Sequence, residues 1–173
     1  MIETLMHNRT TYKHYFETDR QRGRPSLPHM FATGIVLVDD GTASEIQLEA
    51  QHLLDAGPPE FNLRDVGFLR FVITNHLLDL EGGLSPLNAV FTVNDVANAL
   101  QELVLRSHGR WIGKGKGIIR ALGDYDQTFA KRFEQTFHGF YINHDVQEVV
   151  TFVDTVLEEY GGRLFEGYSS RQL

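Results

Sequence analysis

The chain has 173 residues, 42% hydrophobic and 23% charged, the proportions of an ordinary globular protein long enough to bury a core without a metal or disulfide. It contains no cysteine, which excludes disulfides, thiol nucleophiles and thiolate metal sites and suits a reducing cytoplasmic setting. A formal net charge of −7 argues against a general nucleic-acid coat, which needs a basic face, and no apolar run approaches the roughly 20 residues of a membrane span.

Along the chain, residues 1–7 lack a basic region and a long apolar run, so they do not resemble a signal peptide. Thr10 or Thr11 can cap a helix that reaches about Arg22, with Tyr12, Tyr15 and Phe16 on one face. Pro25 and Pro28 stop it. Residues 30–38 are apolar and end in Asp39-Asp40-Gly41, a turn signal, so they read as a buried irregular connection or a short strand. Ser44 then caps a helix to Ala56, closed by Gly57-Pro58-Pro59. A longer helix runs from about Asn62 to Leu80, with Val66, Leu69, Ile73, Leu77 and Leu80 in one stripe.

Ser85-Pro86 starts the next helix, which continues to about Ser107 with Val93, Val96, Leu100, Leu103 and Val104 inward and a kink at residues 91–93. A short helix over 118–122 follows. Phe129, Phe133 and Phe137 recur every fourth residue on a helix over about 125–138. The clearest stripe, from Val146 through Val149, Val153 and Val156 to Tyr160, marks a last helix over about 143–160. Several one-sided helices joined by short turns predict an all-α fold, an antiparallel up-and-down helical bundle over 41–173, preceded by an irregular or strand-like segment within 1–40.

Chemistry is concentrated between Arg106 and Gly117, where four basic residues, the single Trp and four glycines precede a short helix. Glycines let backbone N–H groups approach an anion, and a helix N-terminus adds a favourable dipole. A phosphate or anionic substrate fits such a loop, and so does a solvated interhelical connection. It is not a Walker A loop, because Ser or Thr does not follow the lysine. The eight histidines include no His-x-x-x-His pair and no His-Glu-x-x-His, so no metal site is predicted. Arg132 and His138 match the loose Arg-x5-His spacing of helical ribonucleases, which gives one alternative function; Arg9 and His14 match a similar spacing.

Several segments, in order, resemble the C-terminal helical part of bacterial nucleotidyltransferases related to the antibiotic nucleotidyltransferases. They are His7-Asn8-Arg9-Thr10 with Tyr15-Phe16-Glu17-Thr18-Asp19, then Arg24-Pro25-Ser26-Leu27-Pro28-His29-Met30 with Ala32-Thr33-Gly34-Ile35-Val36-Leu37, then Ala56-Gly57-Pro58-Pro59. Gly109-Arg110-Trp111 with Gly115-Lys116, and Gly161-Gly162-Arg163-Leu164-Phe165-Glu166-Gly167-Tyr168, complete the set. The resemblance implies a substrate-side helical domain. The catalytic Gly-Ser…Asp-x-Asp segment of such enzymes is absent from this sequence, so the chain is not expected to transfer a nucleotidyl group alone.

Mg²⁺ and a nucleoside triphosphate are implied only for a complete enzyme. Glu3 falls where a third catalytic carboxylate would lie, with an exposed terminal side chain as the other reading. Arg110, Trp111, Lys114 and Lys116 are the expected substrate or phosphate contacts. A small-molecule acceptor, a homodimer, and a separate catalytic nucleotidyltransferase domain or subunit are the implied partners. The last of these makes a protein-binding or dimerisation module the second alternative.

Overall fold

A computed structural model describes residues 4–166. Among them every regular element is helical, as the patterning predicts. Two compact units are present: residues up to Glu60 together with Gly109–Trp111, and Phe61–His108 together with the chain from Ile112 onward. Residue 40 lies inside the first unit, between two helices that pack on each other.

In the first unit, α1 is Arg9–Gln21, α2 is Ser26–Thr33 and α3 is Ala43–Ala56. The cap of α1 is Asn8, one position before the expected threonines. Its side chain accepts from the N–H groups of Thr10 and Thr11, while Thr11 Oγ1 accepts from the Asn8 N–H, a reciprocal capping box. Tyr12, Phe16, Leu27 and Ala50 form a small core, with Phe31, Ala32, Ile46 and Leu53 against it.

The first helix stops at Gln21, where the sequence places its end, but Pro25 and Pro28 do not keep the following residues out of a new helix. Pro28 sits in the first turn of α2, where an N–H has no intrahelical partner to lose. The Leu27 N–H is taken up by Asp19 Oδ2 of α1 at 2.7 Å. Residues 35–38 are irregular as expected, but they are neither a strand nor buried: Ile35, Leu37 and Val38 are exposed. The start of α3 is set by Asp39, whose Oδ1 accepts from the N–H groups of Gly41, Thr42 and Ala43; Ser44 is already inside the helix.

In the second unit, α4 is Leu63–Glu81, α5 is Pro86–Ser107, α6 is Ile118–Tyr125, α7 is Gln127–Asn143 and α8 is Val146–Glu158. A single 3₁₀ turn, Gly115–Gly117, leads into α6. Asn62 caps α4 by accepting from Arg64 and Asp65, and Pro86 opens α5 as predicted. The latter helix is unbroken through residues 91–93. Packed pairs α4 with α5, α6 with α7 and α7 with α8 are each joined by a short turn, the geometry of antiparallel neighbours. Ile73, Leu77, Val93, Val96, Leu100, Leu103, Leu105, Leu122, Phe140, Val149, Val153 and Leu157 are sealed in one core, which burial of this apolar surface stabilises.

The tail after α8 is strapped back onto α4. Arg70 donates from Nε to the Gly162 carbonyl at 2.9 Å and from Nη2 to the Gly161 carbonyl at 2.6 Å. Both glycines have positive φ, 97° and 72°, which lets the chain reverse there. Thr74 Oγ1 accepts from the Leu164 N–H at 3.0 Å, and Phe165 stacks on Phe71.

Candidate functional site

The basic glycine segment is an ordered loop rather than a slack connection. Ile112 is buried and fixes its start. The next residue, Gly113, is gripped by Gln101 of α5, itself only 2% exposed: Nε2 donates to the Gly113 carbonyl at 3.0 Å and Oε1 accepts from its N–H at 3.2 Å. Gly113 also lies so close to Gly117 and Ile118 that a Cβ would strike their backbone. Gly115 has φ 52°, and the Gly117 N–H donates to the Lys114 carbonyl at 2.9 Å, closing the turn.

Lys114 and Lys116 project from this frame, exposed, and neither closes an ion pair with a described residue. The first turn of α6 has no side-chain cap. Two cations on a rigid loop before an uncapped helix start favour an anion electrostatically.

Arg110 and Trp111 group with the first unit, whereas Lys114 and Lys116 belong to the second. Arg110 is exposed. Trp111 is half-buried, and its indole N–H donates to the Leu54 carbonyl at 3.1 Å, so that donor is already committed within the first unit. Glu3 lies outside the described residues. Arg132 and His138 share α7 but are not brought together: the Arg132 guanidinium covers the Phe152 ring at 5.6 Å, while His138 is exposed elsewhere on the helix.

Sequence reading missed one polar cluster at the end of α5. His108 Nδ1 lies 2.8 Å from the Val104 carbonyl, an acceptor only, so that nitrogen carries the proton. Its Nε2 lies 3.0 Å from the Tyr125 hydroxyl. Tyr160 is nearby, its phenol pushed up to about 12, first by burial and then by Tyr125 and Glu159. These residues are far apart in sequence and share no periodicity, so nothing local marks them.

The implied Mg²⁺–triphosphate group does not find a ligand set here. Among the described residues no three His, Asp or Glu side chains gather as a metal site. The one Asp-x-Asp, Asp124-Tyr125-Asp126, follows no Gly-Ser, and Asp126 Oδ1 is committed to capping α7 through the N–H groups of Thr128 and Phe129. No step through a metal follows from this chain's residues.

Grooves are also present among the described residues. One, of about 790 Å³, lies in the first unit against residues 34–42, with Leu27, Phe31 and Ile46 as its apolar wall. Thr42 hydrogen bonds hold the Asp40 carboxyl at its rim below the ordinary carboxylate range. Another, of about 610 Å³, runs between α7 and α8 past Arg132, Asp145 and Glu148.

The helical class of the fold is therefore defined by the chain itself, and no described helix is long and apolar enough to cross a membrane. Comparison with protein-family models, curated proteins and solved structures gives no match.

Proposed function

We propose that the chain is the substrate-side helical domain of a nucleotidyltransferase-like protein, contributing phosphate contact but no complete catalytic set. The observation that supports this reading is the loop from Gly113 to Gly117. Its backbone is fixed by Gln101, and both of its lysines face solvent without a protein counter-ion. A fixed loop presents its charge without an ordering cost at binding, which is what an anionic substrate needs for orientation as well as attraction.

Lys114 and Lys116 act as point charges on phosphate oxygens, and the dipole at the start of α6 adds to their field. Chemistry at phosphorus is left to carboxylates on another domain or subunit, because the sequence holds no Gly-Ser…Asp-x-Asp segment.

The test is titration of the isotopically labelled chain with ATP, followed by amide chemical shifts. Shifts of residues 113–119 that vanish in a Lys114→Ala, Lys116→Ala double variant are expected. Absence of any shift there at about 10 mM ATP, a level that detects even millimolar affinity, would exclude the loop as a phosphate site. Label transfer from ATP and Mg²⁺ to an acceptor by the chain alone would overturn the catalytic half of the reading.

A further inference from the structure

The groove between α7 and α8 contains a buried hydroxyl that no described residue satisfies. Thr136 lines this groove and is 6% exposed. The threonines opposite it on α8 give their hydroxyl protons to a carbonyl one turn back, Thr151 to Gln147 and Thr155 to Thr151, both at 2.8 Å. Thr136 makes no such bond, and no other, with a described residue. A buried hydroxyl left without a partner in the chain is open to a group that enters the groove. The end of the chain is strapped to α4, and none of its described residues lines the groove.

Opposite charges line the same groove without meeting. Arg132 covers the Phe152 ring at 5.6 Å and closes no ion pair with a described residue. Asp145 and Glu148 stand on the other side. Asp145 Oδ1 accepts from the Glu148 N–H at 3.1 Å, which leaves its second oxygen and both oxygens of Glu148 for a ligand.

Helix register sets how far apart these charges lie. Arg132 is level with Phe152, whereas Glu148 comes against Gly139, where an added Cβ would lie 3.4 Å from Glu148 Oε2. Glu148 precedes Phe152 by one turn of α8, and Gly139 follows Arg132 by two turns of α7, an offset of about 6–10 Å along the groove. Thr136 falls between the two ends on α7.

We propose that this groove binds a small zwitterion whose ammonium and carboxylate lie about 6–10 Å apart, the class of di- and tripeptides with free ends. Arg132 takes the carboxylate, Asp145 and Glu148 take the ammonium, and the Thr136 hydroxyl bonds a peptide group between them. A single amino acid, about 3.5 Å long, is too short to reach both ends. A simple anion or cation meets one matching and one opposing charge. The proposal is independent of the phosphate loop.

The test titrates the full, isotopically labelled chain with glycylglycine and triglycine, followed by amide and threonine methyl shifts. At about 20 mM one of the two peptides is expected to shift resonances within residues 132–136 and 148–155 and to saturate. Acetylating its amine, amidating its carboxylate or replacing it by glycine should each weaken binding at least about tenfold. Arg132→Met should bind the free and amidated peptides alike, and the Asp145→Asn, Glu148→Gln pair should bind the free and acetylated peptides alike. Thr136→Val keeps the side-chain shape and should weaken binding about three- to tenfold without lowering the thermal midpoint, since no bond within the chain is lost. The exposed Arg132 substitution carries the test if the buried one misfolds.

No shift with either peptide at about 20 mM, or equal shifts with the free, acetylated and amidated forms, overturns the proposal. So does a Thr136→Val variant that binds as the parent does, since the hydroxyl would then hold water only.

Discussion

The side chain of Gln101 grips Gly113 at both polar groups of that residue, donating to its carbonyl at 3.0 Å and accepting from its N–H at 3.2 Å. The two residues lie on either side of the α5 C-terminus, so the grip fixes where the chain goes after the longest helix. It also sets the position from which Lys114 and Lys116 project.

Replacing Gln101 by leucine keeps the bulk and removes both partners of Gly113. Leaving these half-buried groups unmet costs about 1–3 kcal/mol. Urea unfolding should show that loss, and hydrogen exchange should show the Gly113 amide exchanging much faster. An unchanged denaturation midpoint would mean that water replaces the amide without penalty.

Gly113 itself is a steric requirement rather than a conformational one, since its φ is not positive. A Cβ there would lie 2.6 Å from Ile118 Cα, with the Gly117 carbonyl oxygen nearer still, and neither is a side chain that can move aside. Gly113→Ala should therefore destabilise by about 1–3 kcal/mol, whereas Gly117→Ala, which meets nothing within 4 Å, should stay within about 0.5 kcal/mol of the parent. Equal effects of the two substitutions in thermal unfolding would refute this account of the loop.

How much of this was legible beforehand depends on whether the cause was local. Asn62, Ser85-Pro86 and the stripes of α4, α5 and α8 signal themselves within a few residues, and their helices lie where the pattern puts them. By contrast, α2 depends on Asp19 taking up the Leu27 N–H from eight residues away, a contact that exists only after α1 and α2 pack. The glycine-lysine loop was visible in composition, but its rigidity was not, because Gln101 reads as one more polar position on α5. Exposure of residues 35–38 was invisible for a similar reason: composition reports that they are apolar, not whether anything lies above them. The pairing of His108 with Tyr125 needs α5 and α6 to meet, and carries no spacing rule.

Arg163 links two acids in the second unit. It reaches Glu81 through Nη1 at 2.7 Å and Nη2 at 2.9 Å, and Asp154 through Nε at 2.7 Å and Nη2 at 2.8 Å. Hydrogen bonding to Arg163 holds the Glu81 carboxyl below its ordinary value, against an opposing effect of burial. Since the folded value is the lower one, the contribution is whole above the unfolded glutamate pKa of about 4.3 and is lost as pH falls through the folded value. Partial exposure of these groups keeps the Arg163→Ala effect to about 1–2 kcal/mol at neutral pH. Stability measured by urea titration should fall for the parent in this acid range and fall less for Arg163→Ala. Parallel curves for the two proteins would show that Glu81 gains nothing from the arginine.

Tyr12 gives a test at the alkaline end and within the first unit. Its ring is 5% exposed, and its hydroxyl donates to Glu49 Oε2 at 2.8 Å, joining α1 to α3. Burial first, and then the hydrogen bond and charge of Glu49, push the phenol up to about 12. A tyrosine in the unfolded chain ionises near pH 10. With the folded value raised, the contribution of Tyr12 is complete below pH 10 and disappears as pH climbs through about 12. Tyr12→Phe should cost about 0.5–1.5 kcal/mol at neutral pH, because it removes one partly buried hydrogen bond while retaining the ring. Ultraviolet titration of tyrosinate should lose one late-ionising group in this variant, and Tyr160, also held up to about 12, should remain as another. A difference titration between parent and variant centred near pH 10 would mean that the Tyr12 hydroxyl faces water and that α1 does not close on α3 through Glu49.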